Sequence, residues 1–216
     1  MIPMLGKFHY QYENFKGLVK ERGFKSALNE AVYFNREIIL VARDLNKPLP
    51  RLRQDFDMSL ILLDKKELLK IEDLKFPDKA RELKGRAYLC SGFAAFLGVI
   101  GKNIIAELWW TNSLHIRDRI IHPDLIWMKL DLKEDEIYGF DVFVAPEYRG
   151  TPAPKMFISS YMHELKRIGY SKIFGWIFKD NIPSAWLHRI LSFKEIGRVK
   201  GHRFFFLEMK NGKLCF

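Results

Sequence analysis

The chain has 216 residues, of which 48% are hydrophobic, 29% charged and 14% aromatic, with a formal net charge of +10. That balance supplies the core of one large domain, or of one domain with an extension, and excludes an intrinsically disordered chain. The longest apolar stretch, 87–100, is interrupted by Ser91, Gly92 and Gly98 and falls short of the roughly 20 residues that a bilayer-crossing helix needs, so no membrane span is expected.

Residues 13–34 show partial helical periodicity through Phe15, Leu18, Val19, Leu28, Val32 and Tyr33, and predict a helix. Glu37–Arg43 is aliphatic and β-branched and predicts a strand, followed by a proline-bearing connector at 46–53. Met58–Leu63 predicts a second strand. Asp64 and Glu67 then have the spacing of a capping box that opens a helix to about Leu74. Pro77 opens another short helix, expected to end before Gly85. Residues 87–100 and 103–111 predict a hairpin turning at Gly101–Asn103, and 112–136 an irregular excursion.

Ile137–Val144 predicts the next strand, and Pro152–Ile168 an amphipathic helix stopped by Gly169. Ser171–Phe178 predicts a strand and Pro183–Leu191 a short helix entered through Asn181. Two strands follow, 193–199 and 203–209, with a turn at Lys200–Gly201. An Asn211–Gly212 turn then folds the tail back. The strand–helix–strand at 137–178 is a crossover and favours a parallel pair, while the hairpins favour antiparallel ones. The expected fold class is therefore α/β (α+β), with a mixed, mostly antiparallel central sheet and helices packed on it.

The chemistry concentrates at 142–193. A strand ends in Val144-Ala145-Pro146, and Arg149-Gly150-Thr151-Pro152-Ala153-Pro154 leads straight into the amphipathic helix. A helix N-terminus offers unpaired N–H groups and the positive end of the dipole, which suits a phosphate. Arg149 adds charge, and Gly150 allows close backbone approach. Further on stands Asn181-Ile182-Pro183-Ser184-Ala185-Trp186-Leu187-His188-Arg189-Ile190-Leu191-Ser192-Phe193.

In the order and spacing of these two stretches the chain resembles the GNAT superfamily of N-acetyltransferases, over roughly residues 56–209. The resemblance implies a GNAT-like sheet with helices on both faces, a core domain over 56–216, and residues 1–55 as an N-terminal extension packed on it. It implies an acyl group taken from acetyl-CoA or another acyl-CoA and passed to a primary amine such as an amino sugar or amino acid. Phe143 and Val144 would pair with the pantetheine arm, Arg149, Gly150, Thr151 and Ala153 would cradle the diphosphate, and Asn181 and Ser184 would approach the same donor.

His188 stands where the resemblance calls for a tyrosine that protonates the leaving thiolate, a task open to histidine near neutral pH. Glu107 and Asp141 are the candidate proton acceptors. The competing readings are helix-face packing for His188, a solvated strand face for Glu107 and a structural salt bridge for Asp141. Trp109, Trp110, His115 and His122 border the region where an acceptor would sit. A Trp-Trp pair in a strand predicts one ring inside and one outside.

Pro152 and Pro154 depart from the small residues expected there and have no N–H to donate. Weaker or altered phosphate binding is expected, which raises, as one alternative, a non-acetyl chain or a donor carried on an acidic acyl carrier protein that a +10 surface would attract. An inactive GNAT-fold module that binds an anionic partner is another alternative. No nucleic-acid reader motif is present. Cys90 reads as a core thiol, and no metal-ligand spacing involves Cys90 or Cys215. The N-terminus lacks the layout of a secretory signal, so a cytoplasmic location is expected.

Overall fold

A computed structural model describes residues 33–51, 56–64, 71, 73–117, 121–204, 207–210 and 213–215, with isolated positions between 12 and 28. Among them the strands are β1 (Tyr33–Asp44), β2 (Ser59–Leu63), β3 (Ala94–Ile100), β4 (Asn103–Asn112), β5 (Glu136–Val144), β6 (Lys172–Phe178), β7 (Lys194–Phe204), β8 (Leu207–Lys210) and β9 (Lys213–Cys215). The helices, numbered here in chain order, are α1 (Lys79–Cys90), α2 (Ser113–Arg117), α3 (Pro123–Met128), α4 (Ala153–Arg167) and α5 (Ile182–Ile190). The strands form one sheet in the order β2-β3-β4-β5-β6-β1-β7-β8-β9. Every neighbouring pair is antiparallel except β5 and β6, which α4 joins as a crossover.

Period-2 alternation distributes the central strands between two covered faces. Ala94, Phe96, Ala106, Leu108 and Trp110 pack toward Phe157, Tyr161 and Leu165 of α4, with Leu191 just past α5. Ala95, Leu97, Trp109, Tyr138 and Phe140 pack toward Leu89 at the end of α1 and Leu125 of α3. Because both faces are covered, Trp109 and Trp110 are both buried, and neither ring is on the outside.

Several boundaries differ from expectation for local reasons. Most of the helix predicted at 13–34 lies outside the described residues, and its last two positions, Tyr33 and Phe34, belong to β1. Glu67 of the capping box that Asp64 would open, and most of the helix after it, also lie outside them. The helix after Pro77 does not end before Gly85. It is capped by Asp78, whose side chain accepts from the Arg81 N–H, and it runs through to Cys90. Gly85 is a packing glycine, since a Cβ there would stand 2.8 Å from the Phe76 ring and 3.1 Å from Trp109. The strand predicted from Ala87 therefore starts at Ala94, and Cys90 is exposed rather than a core thiol.

The 112–136 excursion contains α2 and α3. The two strands predicted on either side of Lys200–Gly201 are one continuous strand, β7, in which Gly201 pairs with both Arg36 and Lys210. β1, inside the segment read as an extension, lies between β6 and β7 with both edges paired, so 33–44 is an interior strand of the sheet.

Gly85→Val inserts methyl groups between Phe76 and Trp109. It is expected to lower unfolding free energy by about 1–3 kcal/mol, read as a reduced urea midpoint at unchanged slope.

Candidate functional site

The site begins where two neighbouring strands part. β5 and β6 pair only over Glu136–Lys172, Ile137–Ile173 and Tyr138–Phe174. Beyond that, β6 continues to pair with β1 and β5 with β4, and the two strands leave a notch between them. Gly139 and Gly175 stand at the fork, where a Cβ on Gly175 would approach the Gly139 carbonyl oxygen to 3.2 Å. A cavity of about 520 Å³ fills the notch and reaches α1, α3 and α5. The inner edges of the notch carry backbone N–H and C=O groups with no strand between them, so an extended amide-bearing chain fits by strand addition.

The parting is built into β5. Register between β4 and β5 shifts between Glu107 opposite Phe143 and Trp109 opposite Phe140, so β5 carries an extra residue. Asp141 in that bulge has φ 51°, a left-handed conformation that is costly outside glycine. Its carboxylate accepts from Arg81 Nη1 at 3.0 and 3.2 Å and lies 2.9 Å from Lys84 Nζ. Burial alone would raise the Asp141 pKa. Lys84 and Arg81 outweigh it and hold the group well below the usual carboxylate range.

Arg81 also grips β4. Its Nη2 donates to Glu107 Oε2 at 2.8 Å and its Nε to Oε1 at 3.1 Å, and Trp109 Nε1 donates to Oε2 at 2.9 Å. Glu107 has no exposed surface, so the solvated-face reading does not hold. The guanidinium further faces the Phe143 ring at 4.6 Å. Burial opposes the charge on Arg81, but the two carboxylates raise its pKa well above normal.

Across the cavity stands α5. Asn181 caps it, accepting from the Ser184 N–H at 3.3 Å. One turn in, His188 is 9% exposed and lines the cavity with Asn181 and Ser184. The His188 Nδ1 lies 2.8 Å from the Ser184 carbonyl oxygen, which can only accept, so Nδ1 carries the proton and Nε2 holds the lone pair. Burial pushes the imidazole pKa down and the Ser184 carbonyl partly offsets it, so the ring is neutral at pH 7. His122 and Asp124, at the start of α3, line the opposite wall, where Asp124 accepts from Tyr138 Oη and Trp176 Nε1.

The predicted residues thus divide. Asp141, Asn181, Ser184, His188 and His122 line the cavity. Phe143 and Val144 at the end of β5, Arg149, Gly150 and Thr151 on the loop that follows, and Ala153 at the start of α4 lie beyond it, and Glu107 on β4 does not line it. In that loop Thr151 N–H donates to Tyr148 O, Ala153 N–H to Thr151 Oγ1, and Arg149 Nε to Val144 O. With Pro152 and Pro154 lacking N–H groups, much of a diphosphate cradle is already spent internally. His115 instead sits near Thr111 Oγ1, away from the cavity.

Sequence reasoning missed Arg81, Lys84 and Tyr88, which share one face of α1 by their spacing. The available signal was indirect: two acidic residues inside apolar strands need a buried cation.

No protein-family model and no curated protein sequence matches the chain. Solved structures resemble it in shape. A Drosophila protein superposes with a TM-score of 0.50 at 14% identity, covering 88% of this chain and 57% of that one. A Staphylococcus epidermidis protein of unknown function gives 0.50 at 10%, covering 84% and 66%. A GCN5-related N-acetyltransferase from Sphaerobacter thermophilus gives 0.49 at 14%, covering 88% and 57%. The chain spans about three fifths of the length of these structures.

Arg81→Met leaves the buried Glu107 with the Trp109 N–H and without its cation, and Asp141 with Lys84, and is expected to cost about 3–5 kcal/mol in urea unfolding. Because the folded-state pKa of Asp141 is depressed, its ion pairs add stability above the unfolded value of about 3.9, and that stability is lost as pH falls through and below it. Asp141→Asn should flatten the acid slope of the unfolding free energy between about pH 5 and pH 2.

Further neighbours named as GNAT-family acetyltransferases superpose with TM-scores of 0.45, 0.48 and 0.49, and the fold itself, read from the strand order, is a mixed, mostly antiparallel α/β sheet.

Proposed function

We propose that the protein is an N-acyltransferase that moves an acyl group from a pantetheine thioester, such as acetyl-CoA or another acyl-CoA, to a primary amine. The observation that carries this reading is the notch between β5 and β6, whose unpaired backbone edges open onto a cavity containing a neutral histidine. Phe143 and Val144 extend the β5 edge toward the loop. Of the predicted cradle, Arg149 and the Gly150 backbone would meet the phosphates, since the Thr151 and Ala153 N–H groups are engaged within the loop, and Asn181 and Ser184 would flank the arm.

His188 is the reacting group. Its Nε2 lone pair suits it to accept a proton first, a role different from the acid suggested by its place in the motif. The neutral amine attacks the thioester carbonyl carbon, the C–N bond forms and the C–S bond breaks. His188 Nε2 takes the proton from nitrogen and passes it to the departing thiolate, so an amide and a free thiol result. Asp141, held ionised by two cations, is a weak base and serves to hold the bulge. Glu107, with both oxygens engaged, fixes Arg81. The aromatic and acidic wall formed by Tyr88, Trp176 and Asp124 would face the small-molecule acceptor.

Titration calorimetry with CoA and a series of acyl-CoAs, followed by thiol release with amino sugars and amino acids, tests the assignment. Heat of binding and amine-dependent thiol release are expected, and the absence of both overturns it. His188→Gln should lower kcat by about 10²-fold or more while leaving donor binding unchanged. In the wild type, kcat should fall with acidification through a value below the ordinary histidine pKa of about 6.5, and the variant should lack that limb.

A further inference from the structure

α5 has two faces with different occupations. Asn181, Ser184 and His188 line the cavity, while Ile182 and Trp186 on the other side are 68% and 61% exposed, with Ile190 continuing the stripe at 38%. These three residues are four apart and form one apolar row on the helix surface. A single exposed leucine needs no explanation, but a tryptophan flanked by two isoleucines one turn away on either side marks an interaction surface. Arg189 on the last turn of α5 and Lys194, four residues past Ile190 at the start of β7, are exposed, and among the described residues neither forms an ion pair.

Two other observations specify the occupant. The loop at 149–154 lacks the amides of Pro152 and Pro154 and engages those of Thr151 and Ala153 internally, so it offers little to a free nucleotide diphosphate. The notch itself still suits a pantetheine arm. A donor bound through the arm alone must obtain its remaining affinity elsewhere. On a chain of net charge +10, an apolar row together with the cations Arg189 and Lys194 fits an acidic protein.

We propose that the outer face of α5, through Ile182, Trp186 and Ile190 with Arg189 and Lys194, docks an acidic carrier protein whose phosphopantetheine arm enters the β5–β6 notch. This rests on the acyl-transfer reading of the cavity and assigns the donor's carrier. The bonds made and broken are those of the thioester transfer above, with the thiol left on the carrier.

The test uses the full chain and a purified acidic acyl carrier protein, in its arm-bearing form and in the form without the arm. Binding is read from Trp186 fluorescence and by calorimetry, and transfer from thiol release. Both carrier forms are expected to bind, with affinity falling at least tenfold between 50 and 300 mM salt. Trp186→Ala with Arg189→Glu should lower kcat/KM for the acyl-carrier at least tenfold and leave kcat/KM for acyl-CoA within twofold. Either no carrier binding by the wild type or equal losses with both donors overturns the proposal. A wild-type dimer that the variant converts to monomer in sedimentation also overturns it, since the row would then be a self-interface. Turnover of acyl-CoA without carrier binding refutes only the docking surface. Carrier binding without transfer from either donor refutes the acyl-transfer reading, and the docking claim with it.

Discussion

One guanidinium holds the centre of the molecule in its working shape. Arg81 reaches from α1 to a carboxylate on β4 and another on β5, and stacks on the Phe143 ring beside them. The fully buried Glu107 has it as its cation partner, Asp141 shares it with Lys84, and burying the guanidinium in turn is offset by both carboxylates. The arrangement ties β4 to a strained turn of β5, at the level where β5 must leave β6. Lys84, one turn further along α1, shares the charge of Asp141 and brings the local sum of the four ionised groups to zero.

From that constraint the character of the cavity follows. The bulge turns β5 away, so the backbone beyond Tyr138 loses a partner on one side. α5 then supplies a histidine whose protonation pattern is set by a main-chain carbonyl of its own helix. This requires no third side chain to orient the ring, in contrast to triads in which a carboxylate performs that task. Burial keeps the ring uncharged, so it is ready to receive a proton near neutrality.

Much of this was legible because it is local. The strand ending at Val144, the Arg149–Gly150 turn, α4 closed by Gly169 and the Asn181 cap are each specified within a few residues, and their order gave the crossover and the parallel pair. What was not legible depends on distant partners. Arg81 meets Glu107 26 residues away and Asp141 60 residues away. Gly85 has the signature of a helix stop, and only the Phe76 and Trp109 rings across from it show that it is a contact. Lys200–Gly201 reads as a turn, yet pairing on both sides keeps it extended. The missing amides at Pro152 and Pro154 were legible from residue type, but the hydrogen bond from Ala153 to the Thr151 hydroxyl could not be anticipated from spacing.

The place of β1 has a consequence for biogenesis. The strands on its two sides, β6 and β7, are made more than a hundred residues after it. On the ribosome the nascent polypeptide must therefore carry an aliphatic segment, Ile38 to Val41, without these mates until β6 and β7 have followed. Contacts of such long range slow assembly and leave sticky edges uncovered meanwhile. A strand that takes an interior place only when two distant partners close on it keeps both its edges open to mispairing until then.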